Sequence, residues 1–507
     1  MEKEETNTLS EKEATSLTSN EPLSKLPAFG SPERAAAEKS LRRKLDLRLM
    51  PTLFFIIILN YIDRNAVTSA RLQGLQTDLN LTDVQWASVI AIMYVTFCPA
   101  QIPSNMILNK ISRPSLYIGT CTVLWGMVSS LTGITKSFPG ILLARLFLGL
   151  PEAAFYPGSM FLLSRWYTKK ELAFRMALIY SGTLISNAFG SLMAAGILAG
   201  MDGARGIRAW RWLFFIEGAV TICFGFNAMW LLPDYPHNTR WLSKDELHLA
   251  QARLADDAGE ADQDDAGDSP LAGLTMALKD PKVLLFMLMT LCSILGCSFN
   301  QFFPTLTKTL GYNTTITLIL AAPPWIFAAI ICCANAWHAD RTGERFFHFS
   351  FWLWCVLIGF IIAMSTMVMA ARYISLFLMA LGYVGATINL VWVANVIARP
   401  PAKRAAAIAL CNGFGNMGFV AGSYIWQSSW GPEYRKSMGI CFASIVTCTT
   451  VAFVIRQLLN RENKKLDADE LAALGSANRA RVEEAARLEG ITLEQAMERR
   501  KGFRYLS

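Results

Sequence analysis

Long apolar runs alternate with short polar connections from Met50 to Leu459. Each run reaches 18 or more residues, long enough to cross a hydrocarbon core of about 30 Å as a helix. The pattern predicts helices near 49–70, 86–108, 115–134, 139–164, 174–200 and 211–232. A second set is predicted near 283–304, 315–337, 347–368, 373–396, 404–429 and 437–459. The expected fold is an all-α membrane protein with twelve transmembrane helices in two six-helix bundles, residues 46–233 and 281–460. Between them, 234–280 reads as a cytosolic linker with an acidic, Gly-bearing middle and a short helix capped by Ser243 and Glu246. Residues 1–45 read as a polar, disordered cytosolic tail rather than a signal peptide. Residues 461–507 read as a partly helical cytosolic tail.

Cations set the orientation. Arg42, Arg43, Lys44 and Arg48, then Lys110, Arg113, Arg165, Lys169, Lys170, Arg341, Arg345, Arg399, Lys403, Arg404 and Arg461 fall in alternate connections or beside a terminus. The positive-inside rule makes that side cytosolic, with both termini on it. Composition agrees: of 507 residues, 53% are hydrophobic and only 17% charged, against roughly 25% in a soluble domain. A soluble enzyme, a nucleic-acid binder and a secreted module are all poor readings. The net charge of +8 is therefore explained by topology rather than by an acidic partner. All 11 cysteines lie in apolar runs without metal-ligand spacing, so packing roles are expected. No phosphate loop, zinc spacing or nucleophile elbow stands out, so no enzyme activity, metal or cofactor is expected. Trp86, Trp166, Trp210 and Trp212 read as an aromatic belt at the membrane surfaces.

The two halves resemble each other. Leu79-Asn80-Leu81-Thr82 precedes helix 2 as Leu310-Gly311-Tyr312-Asn313 precedes helix 8; Asn109-Lys110-Ile111-Ser112-Arg113 follows helix 2 as Asp340 to Arg345 follows helix 8. One shift, from 79 to 310 and from 109 to 340, relates both pairs, the mark of a duplicated six-helix unit. Secondary transporters built from repeats hold substrate near mid-membrane between them.

Several motifs then carry a family likeness: Asn60-Tyr61-Ile62-Asp63-Arg64-Asn65, Gln101-Ile102-Pro103-Ser104-Asn105, Ala144-Arg145-Leu146-Phe147-Leu148-Gly149-Leu150-Pro151-Glu152, Trp210-Arg211-Trp212-Leu213-Phe214, Leu232-Pro233-Asp234-Tyr235-Pro236 and Gly415-Asn416-Met417-Gly418. With these the chain resembles the major facilitator superfamily, and within it the anion:cation symporter family, especially the fungal allantoate-permease-like branch. The resemblance implies uptake of a small organic anion, often coupled to protons, with allantoate, nicotinate and other vitamins among the branch's cargoes. The loop after helix 8 looks like the superfamily's signature, with Ala336 in place of its first glycine. Asp340, Arg341 and Arg345 are thus gating candidates, a topogenic role for the arginines being the alternative.

Charge deep in a bilayer costs about 2.5–3.5 kcal/mol, so buried ionisable groups are functional candidates by default. Asp63, Arg64, Arg145, Glu152 and Glu217 are such groups, all in the first half. Arg145 and Glu152 are seven apart, on one helix face and about 10.5 Å apart along the axis. Arg64 reaches a similar depth on helix 1. The two guanidiniums are expected to converge on one carboxylate, which their planar forks bind bidentately. Glu152 is expected to compensate Arg145 in the empty site and to take a proton, with Asp63 a second proton-coupling candidate. The alternative is that these ion pairs only hold helices together. Asn300, Asn416 and Tyr424 are substrate-binding candidates in the second half, or otherwise helix glue; Glu217 reads as structural.

The expectation is a monomeric plasma-membrane symporter of a small carboxylate and protons, held in the lipid bilayer, without nucleic acid. A drug or metabolite exporter of the same fold and a nutrient-sensing receptor with little flux are the alternatives.

Overall fold

The computed structural model describes residues 31–236, 238–259, 270–397 and 401–473. The N-terminal tail to residue 30, the acidic middle of the linker and the chain beyond 473 lie outside the described residues.

Helix α1 (Pro32–Arg71) begins well before the expected residue 49. Ser31 caps it, accepting from the Arg34 amide at 3.2 Å, and Pro32 suits the first turn. Leu41, Leu45 and Leu49, spaced by four, form a fully buried stripe under the cationic residues, so the polar start is an amphipathic helix rather than tail. α2 (Asp83–Lys110) starts on a capping box of Thr82 and Gln85, and α5 (Lys169–Gly200) on one of Thr168 and Glu171. Between them lie α3 (Pro114–Thr132) and α4 (Phe138–Ser164); α6 (Ala209–Leu231) completes the first bundle. The linker carries helices Lys244–Gly259 and Pro270–Lys279, the first capped reciprocally by Ser243 and Glu246 as expected. The second bundle runs α7 (Pro281–Lys308), α8 (Thr314–Thr342), α9 (Phe346–Ser365), α10 (Met369–Val396), α11 (Pro401–Ser423) and α12 (Arg435–Ala473). α7 is interrupted by a 3-10 turn at Ser298–Phe302.

Eleven of these described helices are long and apolar enough to cross a membrane. The twelfth, α3, is 19 residues long and poorer in hydropathy because Gly, Ser and Thr line one side. Those small residues have a packing reason: a Cβ on Gly218 of α6 would lie 2.6 Å from the Gly126 carbonyl of α3. Close backbone approach of this kind holds helices together in a bilayer, where burial against lipid supplies no drive.

The bundles meet where α2 packs on α11 and α5 on α8. The shift relating the halves makes α8 the counterpart of α2 and α11 that of α5, so the two contacts are one contact repeated. At the end bearing the termini, the polar start of α1 is clasped from two sides. Asp46 takes a bidentate pair from Arg175 at 2.8 and 2.7 Å; Glu171 accepts from Arg42 at 3.0 Å and pairs with Arg253 at 3.2 Å; Lys44 meets Glu246. Burial alone would raise the Glu246 carboxyl, but hydrogen bonds from Lys44 and Ser243 outweigh it and hold the group below its usual range.

Three of the four tryptophans expected in an interfacial belt lie inside the protein. Trp86, Trp166 and Trp210 are buried, with Trp166 donating to the Asp234 carbonyl at 2.9 Å and Trp210 to the Asp78 carboxylate at 3.1 Å. The Trp166 and Trp210 N–H groups find protein acceptors and need no headgroup region, while the Trp86 N–H is buried without a hydrogen-bond partner among the described residues. The cysteines are free and mostly buried, as packing residues should be.

Candidate functional site

A cavity of about 120 Å³ lies between the bundles. The first bundle contributes Arg64 and Asn65 from α1, Tyr94 and Gln101 from α2, Glu152 from α4 and Thr183 from α5. The second contributes only uncharged groups, among them Thr290 and Asn300 of α7, Asn389 of α10, and Asn412 and Asn416 of α11.

Arg64 is the cation of this cavity. Its Nε and Nη2 both donate to Glu152 Oε2, at 3.1 and 2.7 Å, and Nη2 also reaches Asn60 Oδ1 at 3.4 Å. Three rings pack round the guanidinium, with centroids 4.8 Å away for Tyr61, 5.7 Å for Tyr94 and 4.6 Å for Phe97. The faces of these rings are electronegative and stabilise a cation while excluding water. Glu152 has one oxygen occupied and the other, Oε1, without a hydrogen-bond partner. A buried pair with spare hydrogen-bonding capacity on both members can exchange one carboxylate for another at the guanidinium.

The partner of Glu152 is therefore Arg64 and not Arg145, as the helical advance explains: seven residues on one helix separate Arg145 and Glu152 by about 10.5 Å, too far for direct pairing. Arg145 comes close to Arg64 but stands behind it. Its Nη2 donates to the Arg64 carbonyl at 3.1 Å, and its side chain borders a separate small void with Thr68, Met93 and Gln301. Asp63, one residue from Arg64, turns away from the cavity. Ser129 of α3 and Thr221 of α6 donate to its two oxygens at 2.8 and 2.7 Å. Adjacent residues on a helix diverge by about 100°, so only one of Asp63 and Arg64 faces the centre.

Asn300 and Asn416 line the cavity, while Tyr424 lies beyond it. The Tyr424 hydroxyl is 3.0 Å from Ser88 Oγ, an inter-bundle contact at the end opposite the termini. Of the expected gating group, the Asp340 side chain falls outside the described residues, Arg341 lies over the Trp337 ring at 5.0 Å, and Arg345 is buried just before α9. The second bundle also holds a buried cation that the expected helix start of 373 excluded: Arg372, 3% exposed, in the first turn of α10.

Polar contacts across the bundles gather elsewhere. Arg71 at the end of α1 donates to Gln76 at 2.7 Å and to Ser428 Oγ at 2.8 Å; Ser428 in turn donates to Asp83 through Oγ at 2.7 Å and through its amide at 3.2 Å. Tyr94 stacks on Phe419 with centroids 4.9 Å apart, and Asn412 donates to Gln101 at 3.2 Å nearer the other end. This latch and the ring cage round Arg64 escape a reading based on charge alone. Tyr94 and Phe97, three apart and so on one helix face, were the available signal for the cage.

Residues 53–423 match the model of the Major Facilitator Superfamily, which is most of the chain. The protein belongs to that superfamily. It is a multi-pass membrane transporter by that membership and by the relatives it resembles. The MFS-type transporter cnsO of Penicillium expansum is 33% identical over 454 residues, covering 87% of each chain. The Major facilitator-type transporter hxnP of Emericella nidulans is 26% identical over 471 residues, 89% of this chain and 94% of its own. A protein of Agrobacterium vitis named as a putative tartrate transporter is 29% identical over 397 residues, covering 76% and 85%. Among solved structures, a bacterial homolog of the human lysosomal transporter Spinster superposes with a TM-score of 0.62 over 84% of this chain and 98% of its own, at 16% identity. That last likeness is one of fold. In this superfamily member the site lies where the two repeats face each other, the position at which such carriers hold cargo.

Proposed function

We propose that this transporter imports a small organic anion, a carboxylate such as a vitamin, a vitamin precursor or a nitrogen-source acid, by proton symport and alternating access. It belongs on this reading to the anion:cation symporter branch and works as a monomer in the plasma membrane with both termini in the cytosol. The observation that carries the reading is the Arg64 guanidinium at the wall of the central cavity, caged by three rings and held by Glu152 alone among acids. An incoming carboxylate replaces Glu152 at the fork, and Glu152 takes a proton as its cation is withdrawn. Anion and proton then cross together as the bundles rock, and Arg341 and Arg345 with Asp340 bias the cytosolic closure. The relative named for tartrate supports an anionic cargo.

Uptake of labelled nicotinate, allantoate and tartrate by cells expressing the chain, at acidic and neutral external pH, tests this. At equal surface expression, Arg64→Ala should cut uptake of the transported acid tenfold or more, since a hydrogen bond to a charged group contributes about 1.5–3 kcal/mol. Unchanged uptake by Arg64→Ala removes the anion site.

A further inference from the structure

Five ionisable groups of the first bundle are buried together: Asp63, Arg64, Arg145, Glu152 and Glu217, none more than 8% exposed. Three carboxylates and two guanidiniums leave one negative charge if all are ionised. Uncompensated charge in so dry a place neutralises by binding a proton rather than persisting. Hydrogen-bond geometry distinguishes the three acids. Glu152 is paired with Arg64, and Asp63 accepts two hydroxyl hydrogen bonds. Glu217 has neither: it forms no ion pair among the described residues, and its Oε2 is buried without a hydrogen-bond partner.

The side chain is not walled off. Glu217 lines a second void, about 20 Å³, beside the anion cavity, together with Ser69, Ser186, Asn187, Ser191 and Asn300. That volume suffices for a water molecule, and the wall offers it several polar partners. Asn65 and Asn300 line both this void and the central cavity, so the two spaces share a polar boundary. Asn65 donates to Asn187 Oδ1 at 2.7 Å, and the Asn187 amide nitrogen is buried without an acceptor among the described residues. The charged groups that face Glu217 are Asp63 from α1 and Arg145 from α4. From α5, α7 and α8 the void receives only neutral side chains.

We propose that Glu217 is a second proton-binding acid of this carrier, housed in its own polar compartment and exchanging its proton with the anion cavity past Asn65 and Asn300. One carboxylate oxygen accepts an excess proton that water relays from the central cavity, an O–H bond of hydronium breaking as the carboxylic O–H forms and water is left, which neutralises the cluster; the proton returns by the same route. Asp63 repels a second negative charge at this place, so the proton leaves only when the compartment hydrates or the cluster gains a cation. The inference rests on the proton-coupled reading of the chain but not on which anion it carries.

Infrared difference spectroscopy of the full chain in lipid nanodiscs, titrated with pH in choline chloride and without substrate, tests it. The wild type should show the carbonyl stretch of a buried protonated carboxylic acid that titrates and shifts in heavy water. Glu217→Gln should lose that band, Glu217→Asp should move it, and Glu152→Gln should keep it. Since a protonated Glu152 adds its own band, the readout is the component lost in Glu217→Gln and kept in Glu152→Gln. Full wild-type intensity in Glu217→Gln, or no titrating band in the wild type at any pH, overturns the proposal, and so does loss of that component when sodium replaces choline at fixed pH, which would assign the compartment to a metal cation. Because no substrate enters the measurement, these outcomes are independent of the uptake test on Arg64.

Discussion

On the proposed reading, Glu152 and an arriving carboxylate compete for one guanidinium, and the competition sets the pH response of binding. At a pH where Glu152 is ionised, the anion must displace it; once protonated, Glu152 releases Arg64 and binding tightens. Glu152→Gln removes the competitor permanently. We expect it to bind the transported acid about tenfold or more tightly at neutral pH, the equivalent of about 1.4 kcal/mol, and to lose most of the pH dependence of binding. Calorimetric titration of wild type and variant at acidic and neutral pH checks both, and an affinity that still tracks pH in the variant counts against the exchange. The residues in this competition were legible in the sequence, because five charges in apolar runs have few innocent explanations. Their pairing was not. Helical advance along α4 keeps Arg145 from pairing with Glu152, but that Arg64 meets it depends on how α1 and α4 cross, which arithmetic within one helix does not contain.

Elements were legible wherever a local signal marked them. Ser243 with Glu246 announces a helix start and starts one, whereas Thr82 with Gln85 and Thr168 with Glu171 cap α2 and α5 ahead of the starts at 86 and 174 that hydropathy alone predicts. The beginning of α1 was missed because its cationic surface hides a stripe of leucines that only the clasp of α5 and the linker helix makes worth burying. The glycines of α3 and α6 were equally silent, since a glycine in an apolar run does not say what approaches it. The structure gives one of them a measurable weight: Gly218→Ala places a methyl group against the Gly126 carbonyl and Ser130 Oγ. Overpacking of this kind costs about 1–3 kcal/mol. A lowered midpoint in a thermal unfolding scan is expected, while Gly196→Ala, which meets nothing within 4 Å, should leave it in place.

At the scale of the whole molecule, the two-bundle plan and its internal repeat were readable from motif spacing, but the contacts that decide which end is shut were not. Ser428 lies far along the chain from Arg71 and Asp83, and its meeting with them depends on the relative tilt of the bundles. Asp83→Asn with Ser428→Ala weakens this latch by several hydrogen bonds of about 1 kcal/mol each. The population open at that end should rise roughly a hundredfold for about 3 kcal/mol lost, and Cys297, which lines the cavity, should react correspondingly faster with a membrane-impermeant thiol reagent applied from that side. An unchanged Cys297 rate would show that other contacts hold the closure. The cavity itself is lopsided: one wall carries ions, the other amides and hydroxyls. A mutation on the neutral wall alters the shape a cargo must have without disturbing the balance of buried charge opposite. If the buried charges do couple transport as proposed, such a machine can acquire new diets through drift in α7, α10 and α11 while its power supply stays as it was.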